Sequence, residues 1–526
     1  MTTIQTFIHR RGFRRAASLI LFALVLASIG LIRAAEQTSP PPFYPDKLDL
    51  MHWLDDEGRR HPVTTLKDWQ KRREHILRNF ELATGPLPGA ERKVPLDVRV
   101  TEVVQLEKYE RRKLTFATEH NDRVNAYLLI PKKIKGRVPA VLCLHQTTDI
   151  GSREPVGLGG STDLHYAAEL AERGYVTLVP DYPYLGENHY DPYKNGYVSC
   201  TMKGIWNHMR AIDLLQSLPE VDGQRIGAIG HSLGGHNSLF VAAYDDRMKC
   251  VVSCCGYGSN EEYFKQHKFT GGEGVRYYPR IKELIGGDAK KMPFDLIEIA
   301  ATLAPRPFLT VAPLRDSNSP VPGLPDAPGP LTPLSELHNA PHRPVLAFPD
   351  AEHTFPVASR EKAYAWFDRW LKANQGRPTG TAGSSYGKRL PLAASGKTPY
   401  LIVIGTNPTP EEQTASEWLA ATLEQVTGAK FPIQKQDAKD LPATIIRIAA
   451  DPKLKSEEWR IRTVGETLLL EGGWPRGTIY AVCEFLETHV GVDRLDPFTE
   501  VVPRKPTLTI PALDRRGQPA FGYRSV

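Results

Sequence analysis

Cysteine is scarce, with six in 526 residues. No Cys-x-x-Cys pair and no His-Glu-x-x-His run occurs, so a disulfide framework and a contiguous zinc motif are both excluded. An excess of charge of one sign is nearly absent too. The formal net charge is +6, but residues 1–35 hold five Arg and no acid or Lys, and the rest of the chain is left at +1. A near-neutral body argues against an electrostatic nucleic-acid binder, and none is expected as a partner. Long hydrophobic runs are missing beyond residue 32, and no internal repeat is found. What is there is ordinary for a globular protein: 41% apolar and 24% charged residues, with Pro (44) and Gly (42) both moderately high. At about 100–200 residues per domain, the length suggests two to four domains, each able to bury a core.

The first 35 residues read as an export signal. His9 to Arg15 is basic, Ala16–Ile32 is apolar, and Ala34-Ala35 offers small residues for cleavage. The apolar run is 17 residues long, short of the ~20 that a spanning helix needs. Arg33 sits badly for cleavage after Ala35, so a retained membrane anchor is the alternative. Arg-Arg-Gly-Phe also resembles a twin-arginine signal. The remainder is expected to be exported, either periplasmic or secreted.

Apolar periodicity organises the rest. Leu66, Trp69, Ile76, Phe80 and Leu82 predict a helix over 65–82, ended by Gly85-Pro86. Strands are expected at 96–107, 112–118 and 125–130, with Asn121-Asp122 as the last turn. Val138–Leu144 is a continuous apolar run, as a strand buried on both faces requires. Helices are expected at 163–173, 201–218, 234–244 and 358–373. They alternate with strands at 175–179, 225–229, 250–254, 307–312 and 344–348. This alternation predicts an α/β domain over 60–373 with a mostly parallel sheet and helices on both faces. Residues 374–399, rich in Gly, Ser, Thr and Pro, are expected to be a linker. A small α/β module is expected over 400–526. Cys143, Cys250, Cys254 and Cys255 fall in apolar strand-like runs and read as buried core thiols.

Gly230-His231-Ser232-Leu233-Gly234-Gly235 fits a Gly-x-Ser-x-Gly elbow between a strand and a helix. The turn is so tight that small residues must flank the Ser, whose hydroxyl then stands clear of the sheet. Such a nucleophile needs a base, and the base needs an acid, in the order Ser, acid, His. Asp316 and His353 each follow a short strand, where open α/β sheets place their sites. Arg315–Asn318 is also good turn chemistry, so Asp316 has a competing structural reading. Rival acids are Asp350, Glu352, Glu261 and Glu262. An oxyanion would be met by backbone N–H groups. Leu233 is expected to supply one and Gln146 the other, with Thr147 next; His145 reads as a structural hydrogen-bonding residue. No metal or organic cofactor is expected.

Residues 60–373 resemble the α/β-hydrolase superfamily, in its dienelactone hydrolase and acetyl xylan esterase branch. The stretches that carry the resemblance are Val141–Gln146, Gly174–Tyr182, Arg225–Gly235, Ala304–Pro307 and Phe348–His353. It implies a triad of Ser232, Asp316 and His353 that cleaves carboxylic esters, with acetylated polysaccharide as substrate. The Pro-rich stretch 317–333 departs from relatives, which carry a helix between acid and His. Glucuronoyl esterases share the architecture but have Arg directly after the nucleophile, where Leu233 stands. A peptidase of the prolyl-oligopeptidase type and a non-enzymatic carbohydrate-binding scaffold are the alternatives. The C-terminal stretch Gly473–Glu487, with Gly491-Val492, Pro503 and Pro519–Arg524, resembles the non-catalytic N-terminal domain of α-glucuronidases. That implies a docking role, with a separately encoded glycoside hydrolase barrel as one partner.

Overall fold

The computed structural model describes residues 40–266, 277–318, 329–338, 340, 344–372, 390–438, 441–496 and 499–518. The expected signal, most of the expected linker and Pro519–Arg524 lie outside them. The chain forms two compact units. One comprises Met1–Ala304, Leu314–Asp326 and Asp350–Phe355; the other comprises Pro305–Pro313, Ala327–Pro349 and Pro356–Val526. No helix among the described residues is long and apolar enough to cross a membrane.

The first unit begins before residue 60. Tyr44 is fully buried, and its hydroxyl lies 2.8 Å from Nδ1 of His75. Helix α1 (Leu66–Thr84) starts at Thr65 with a capping box to Asp68. Trp69, Ile76 and Phe80 are buried as their spacing predicts, but Leu66 is exposed. The same face buries Arg72 completely, because Glu298 pairs with it at 2.6 Å and its guanidinium lies over the Tyr44 ring.

Seven strands follow: β1 (Arg99–Gln105), β2 (Tyr109–Glu119), β3 (Asp122–Pro131), β4 (Val138–Leu144), β5 (Val176–Pro180), β6 (Val221–His231) and β7 (Met248–Cys254). They lie side by side in the order β7-β6-β4-β5-β3-β2-β1. β7, β6, β4 and β5 are parallel. The first three strands are antiparallel, and β3 joins β5 antiparallel. Every residue of β4 is buried, as its unbroken apolar run requires. Helices α2 (Tyr166–Glu172), α3 (Cys200–Ser217) and α4 (Leu233–Tyr244) make the crossovers. On α3, Lys203 is fully buried and pairs with Glu119 at 3.0 Å and Asp122 at 2.6 Å, tying the helix to the β2–β3 turn.

In the second unit β8 (Phe308–Val311) and β9 (Pro344–Ala347) pair in parallel, and helix α5 spans Val357–Phe367. The same unit contains a six-stranded sheet. Its strands are β10 (Leu401–Ile404), β11 (Ile433–Lys435), β12 (Ile445–Ala450), β13 (Trp459–Val464), β14 (Thr467–Gly472) and β15 (Asp514–Gly517), in the order β11-β10-β12-β14-β13-β15. Helices α6 (Pro410–Thr427) and α7 (Gly477–Phe485) supply Leu419, Leu423, Val482 and Phe485 to a core shared with Ile446 and Leu470. The composition-based boundary at 400 needs correction. Leu390–Ala393 is a strand paired with Leu508–Ile510, and Leu390 and Leu392 are buried in that core. Residues 390–399 therefore belong to the module, because burial of alternate leucines outweighs their linker-like composition.

Candidate active site

Strand β6 ends at His231 and α4 begins at Leu233, so Ser232 alone makes the turn. Its φ of 54° and ψ of −117° are strained for a residue with a Cβ, at a cost of about 1–3 kcal/mol. The glycines around it have no room for a side chain. A Cβ on Gly230 would overlap the Gly234 carbonyl, and one on Gly234 would overlap the Leu144 carbonyl at the end of β4. A Cβ on Gly235 would lie 2.5 Å from the Cys254 oxygen. The backbone N–H of Ser232 donates to that same oxygen at 2.8 Å. The ends of β4 and β7 thus clamp the elbow, and Ser232 remains half-buried.

Asp316 and His353, 37 residues apart, are brought together: Nδ1 of His353 lies 2.8 Å from both carboxylate oxygens. The Asp316 side chain is closed to solvent while that of His353 is 18% exposed. Asp316 also accepts the Asn318 N–H at 2.8 Å, so its turn chemistry and its contact with His353 coexist. Burial pushes the Asp316 carboxyl up, but the hydrogen bond and charge of His353 outweigh it and hold the group below its ordinary range. Burial pulls His353 down; Asp316 and Cys255 more than reverse this and raise it to about 9. Burial keeps the Cys255 thiol protonated, so Asp316 is the partner that matters near neutral pH.

The rival acids are placed elsewhere. Asp350 pairs with Arg315 at the surface, Glu352 is exposed, and Glu261 and Glu262 start the short helix Asn260–Gln266. Ser232 Oγ makes no hydrogen bond among the described residues. Its neighbour His231 has its ring centroid 4.7 Å from that of His353.

The N–H groups of Leu233 and Gln146 donate to no acceptor among the described residues. Gly234, packed on the Leu144 carbonyl, sets the start of α4 against the end of β4, which Gln146 follows. His145 is structural here. Its Nε2 accepts the Tyr182 N–H at 3.0 Å, so the proton is on Nδ1, which faces the Gln146 oxygen at 2.6 Å. The Gln146 side chain donates to the buried Glu154 at 3.0 Å. Sequence reasoning missed the wall beside Leu233, formed by Tyr182, Leu185 and Cys200 with Tyr193 and Tyr277. It also missed a cluster of His231, Cys255 and His353.

Residues 124–270 match the family model of the dienelactone hydrolase family. The match contains the elbow and stops short of Asp316 and His353. The fold is the α/β-hydrolase fold. The YtaP protein of Bacillus subtilis (strain 168) is 25% identical over 312 residues, covering 57% of this chain and 99% of its own. Acetyl esterase Axe7A of Xylanibacter ruminicola is 28% identical over 185 residues, 31% of this chain and 39% of that protein. A solved glucuronoyl esterase from Solibacter usitatus aligns with 64% of this chain and 99% of its own, at 18% identity and a TM-score of 0.49.

Proposed function

We propose that the chain is a serine hydrolase that cleaves carboxylic esters through an acyl-enzyme, with acetyl groups on polysaccharide as its substrate. The observation that carries this reading is the grip of both Asp316 oxygens on Nδ1 of His353, with Ser232 held at a strained elbow. Asp316 fixes the tautomer that leaves Nε2 of His353 free to accept the Ser232 proton. Ser232 Oγ then bonds to the ester carbonyl carbon. The oxygen that gains charge faces the N–H groups of Leu233 and Gln146. The C–O bond to the alcohol breaks as His353 returns the proton to it. Water, deprotonated by the same imidazole, releases the acid and restores Ser232. No step calls for a metal or cofactor.

The acetyl reading draws on the name of the Xylanibacter relative. The polysaccharide reading draws on the resemblance of the C-terminal module to the N-terminal domain of α-glucuronidases. In this reading the protein is exported, and the module docks onto glycan or onto a separately encoded glycosidase barrel. The deciding experiment compares the protein with Ser232→Ala on nitrophenyl acetate, acetylated xylan and peptide anilides. Acetate release by the parent, abolished in an equally folded variant, is expected. Peptide cleavage without ester cleavage would reject the reading in favour of a peptidase.

A further inference from the structure

His231 breaks the ordinary rule for buried polar groups. Its side chain is fully buried, yet neither Nδ1 nor Nε2 has a hydrogen-bond partner among the described residues. Buried polar atoms almost always find one. With neither nitrogen partnered, a neutral ring there has one lone pair that accepts from no donor among the described residues. His231 is the last residue of β6 and sits opposite Cys254 of β7. The next residue, Cys255, has φ of 52°, a conformation that disfavours any side chain. A thiol is kept there in spite of that. One ligand atom each from His231, Cys255 and His353 lies within 4.8 Å of the other two. One ring nitrogen of His353 belongs to this cluster, and since Nδ1 is held by Asp316, Nε2 is the nitrogen left to bind a cation.

We propose that His231, Cys255 and His353 form a binding site for Zn2+, and that the bound cation occupies Nε2 of His353 and so stops the hydrolase. Two imidazoles and a thiolate are the donor set of a borderline-soft cation, not of Mg2+ or Ca2+. Asp316, on the far nitrogen of His353, is the carboxylate that commonly orients a metal-bound imidazole. Metal–ligand bonds of about 2.0–2.3 Å require the three atoms to draw together on binding. The Cys255 S–H bond breaks, its electron pair goes to the metal, and its proton leaves to solvent. A protonated His353 gives up its Nε2 proton in the same way. No oxidant or reductant is needed. The metal site stands on these three side chains; the inhibition rests on the role proposed for His353.

Co2+, titrated into the full-length protein as a spectroscopic stand-in, tests the site without using activity. A thiolate-to-cobalt charge-transfer band, competed away by Zn2+, is expected in the parent and in Ser232→Ala. It should vanish in Cys255→Ser, and His231→Leu should weaken Zn2+ binding by at least about tenfold. Thermal melts check that each variant is folded, and Cys255→Ser carries the test if His231→Leu is not. In parallel, Zn2+ should inhibit ester hydrolysis reversibly with chelator, and Mg2+ should not. Absence of the band in the parent, its persistence in Cys255→Ser, or Zn2+ binding at this site without inhibition would overturn the proposal. A parent that binds Co2+ through Cys255 but hydrolyses no ester would instead reject the esterase reading and support the metal site.

Discussion

His353 presents its Nδ1 to Asp316 at 2.8 Å from each of the two carboxylate oxygens. The acid is sealed from solvent and the imidazole is not. Asp316 therefore acts on one ring nitrogen from the protein side and leaves the other to face the site. Asp316→Asn keeps the shape but presents an amide that can donate to Nδ1, so the wrong tautomer is stabilised. Turnover of an acetyl ester is expected to fall by about 10⁴, the loss typical of triad aspartates, with the fold intact. A variant that keeps near-normal turnover, together with a large loss at Glu261 or Glu262, would move the acid's role to the loop after β7.

The pH dependence follows from the same pair. The base must be neutral, and Asp316 raises the His353 pKa. Activity should therefore climb with pH along an ascending limb whose apparent pKa lies above the usual 6.5. The stability linkage has a definite sign. The raised His353 adds stability that is fully present below pH 6.5 and is lost as pH rises through about 9. The lowered Asp316 adds stability present above its ordinary pKa and lost as pH falls through its depressed one. Asp316→Asn should shift the activity limb downward, which a profile of residual kcat/KM against pH would reveal. A limb that stays in place would show that another group sets it.

Lys203 has no exposed surface and balances two carboxylates, Glu119 and Asp122. Lys203→Met leaves Asp122 buried without its cation and Glu119 with only Arg92, at 3.4 Å. The expected loss is about 3–5 kcal/mol, read from urea or guanidinium unfolding. Adding Glu119→Gln and Asp122→Asn should recover much of it, because the uncompensated charges go with their cation. A single variant within 1 kcal/mol of the parent would mean that water already solvates the cluster.

These buried charges mark where reading the sequence stops. Val138–Leu144 is legible to the residue because two-sided burial writes a continuous apolar run. The elbow is legible because its glycines are demanded by backbone packing within a few residues. Asp316 and His353 are legible as candidates because each follows a short apolar strand. Arg72 and Lys203 interrupt helical faces with charge, and their partners lie 226 and 81–84 residues away. Nothing local announces such pairs. Leu390–Ala393 hides in a Gly- and Ser-rich stretch because its partner strand comes more than 100 residues later. The His231–Cys255–His353 cluster joins three separate segments, and Cys255 taken alone is one more apolar core residue.

The last relationship to test is the packing of Gly234 on the Leu144 carbonyl, which has no room for a Cβ. That contact sets the first turn of α4 against the end of β4. It therefore fixes how the Leu233 N–H stands relative to the Gln146 N–H. Gly234→Ala must push the two backbones apart at the elbow, whose other clamp, the Ser232 N–H on the Cys254 oxygen, is untouched, and His353 and Asp316 lie on other contacts. The effect should fall on stabilisation of the charged oxygen rather than on substrate binding. The expected result is a drop in kcat of about 10²–10³, comparable to losing one oxyanion donor, with KM little changed. Gly258→Ala is the control, because a Cβ there meets nothing within 4 Å. It should behave like the parent. Equal kcat in both variants would show that the start of α4 tolerates displacement and that the oxyanion is stabilised elsewhere. A rise in KM alone would place Gly234 on the path of the substrate.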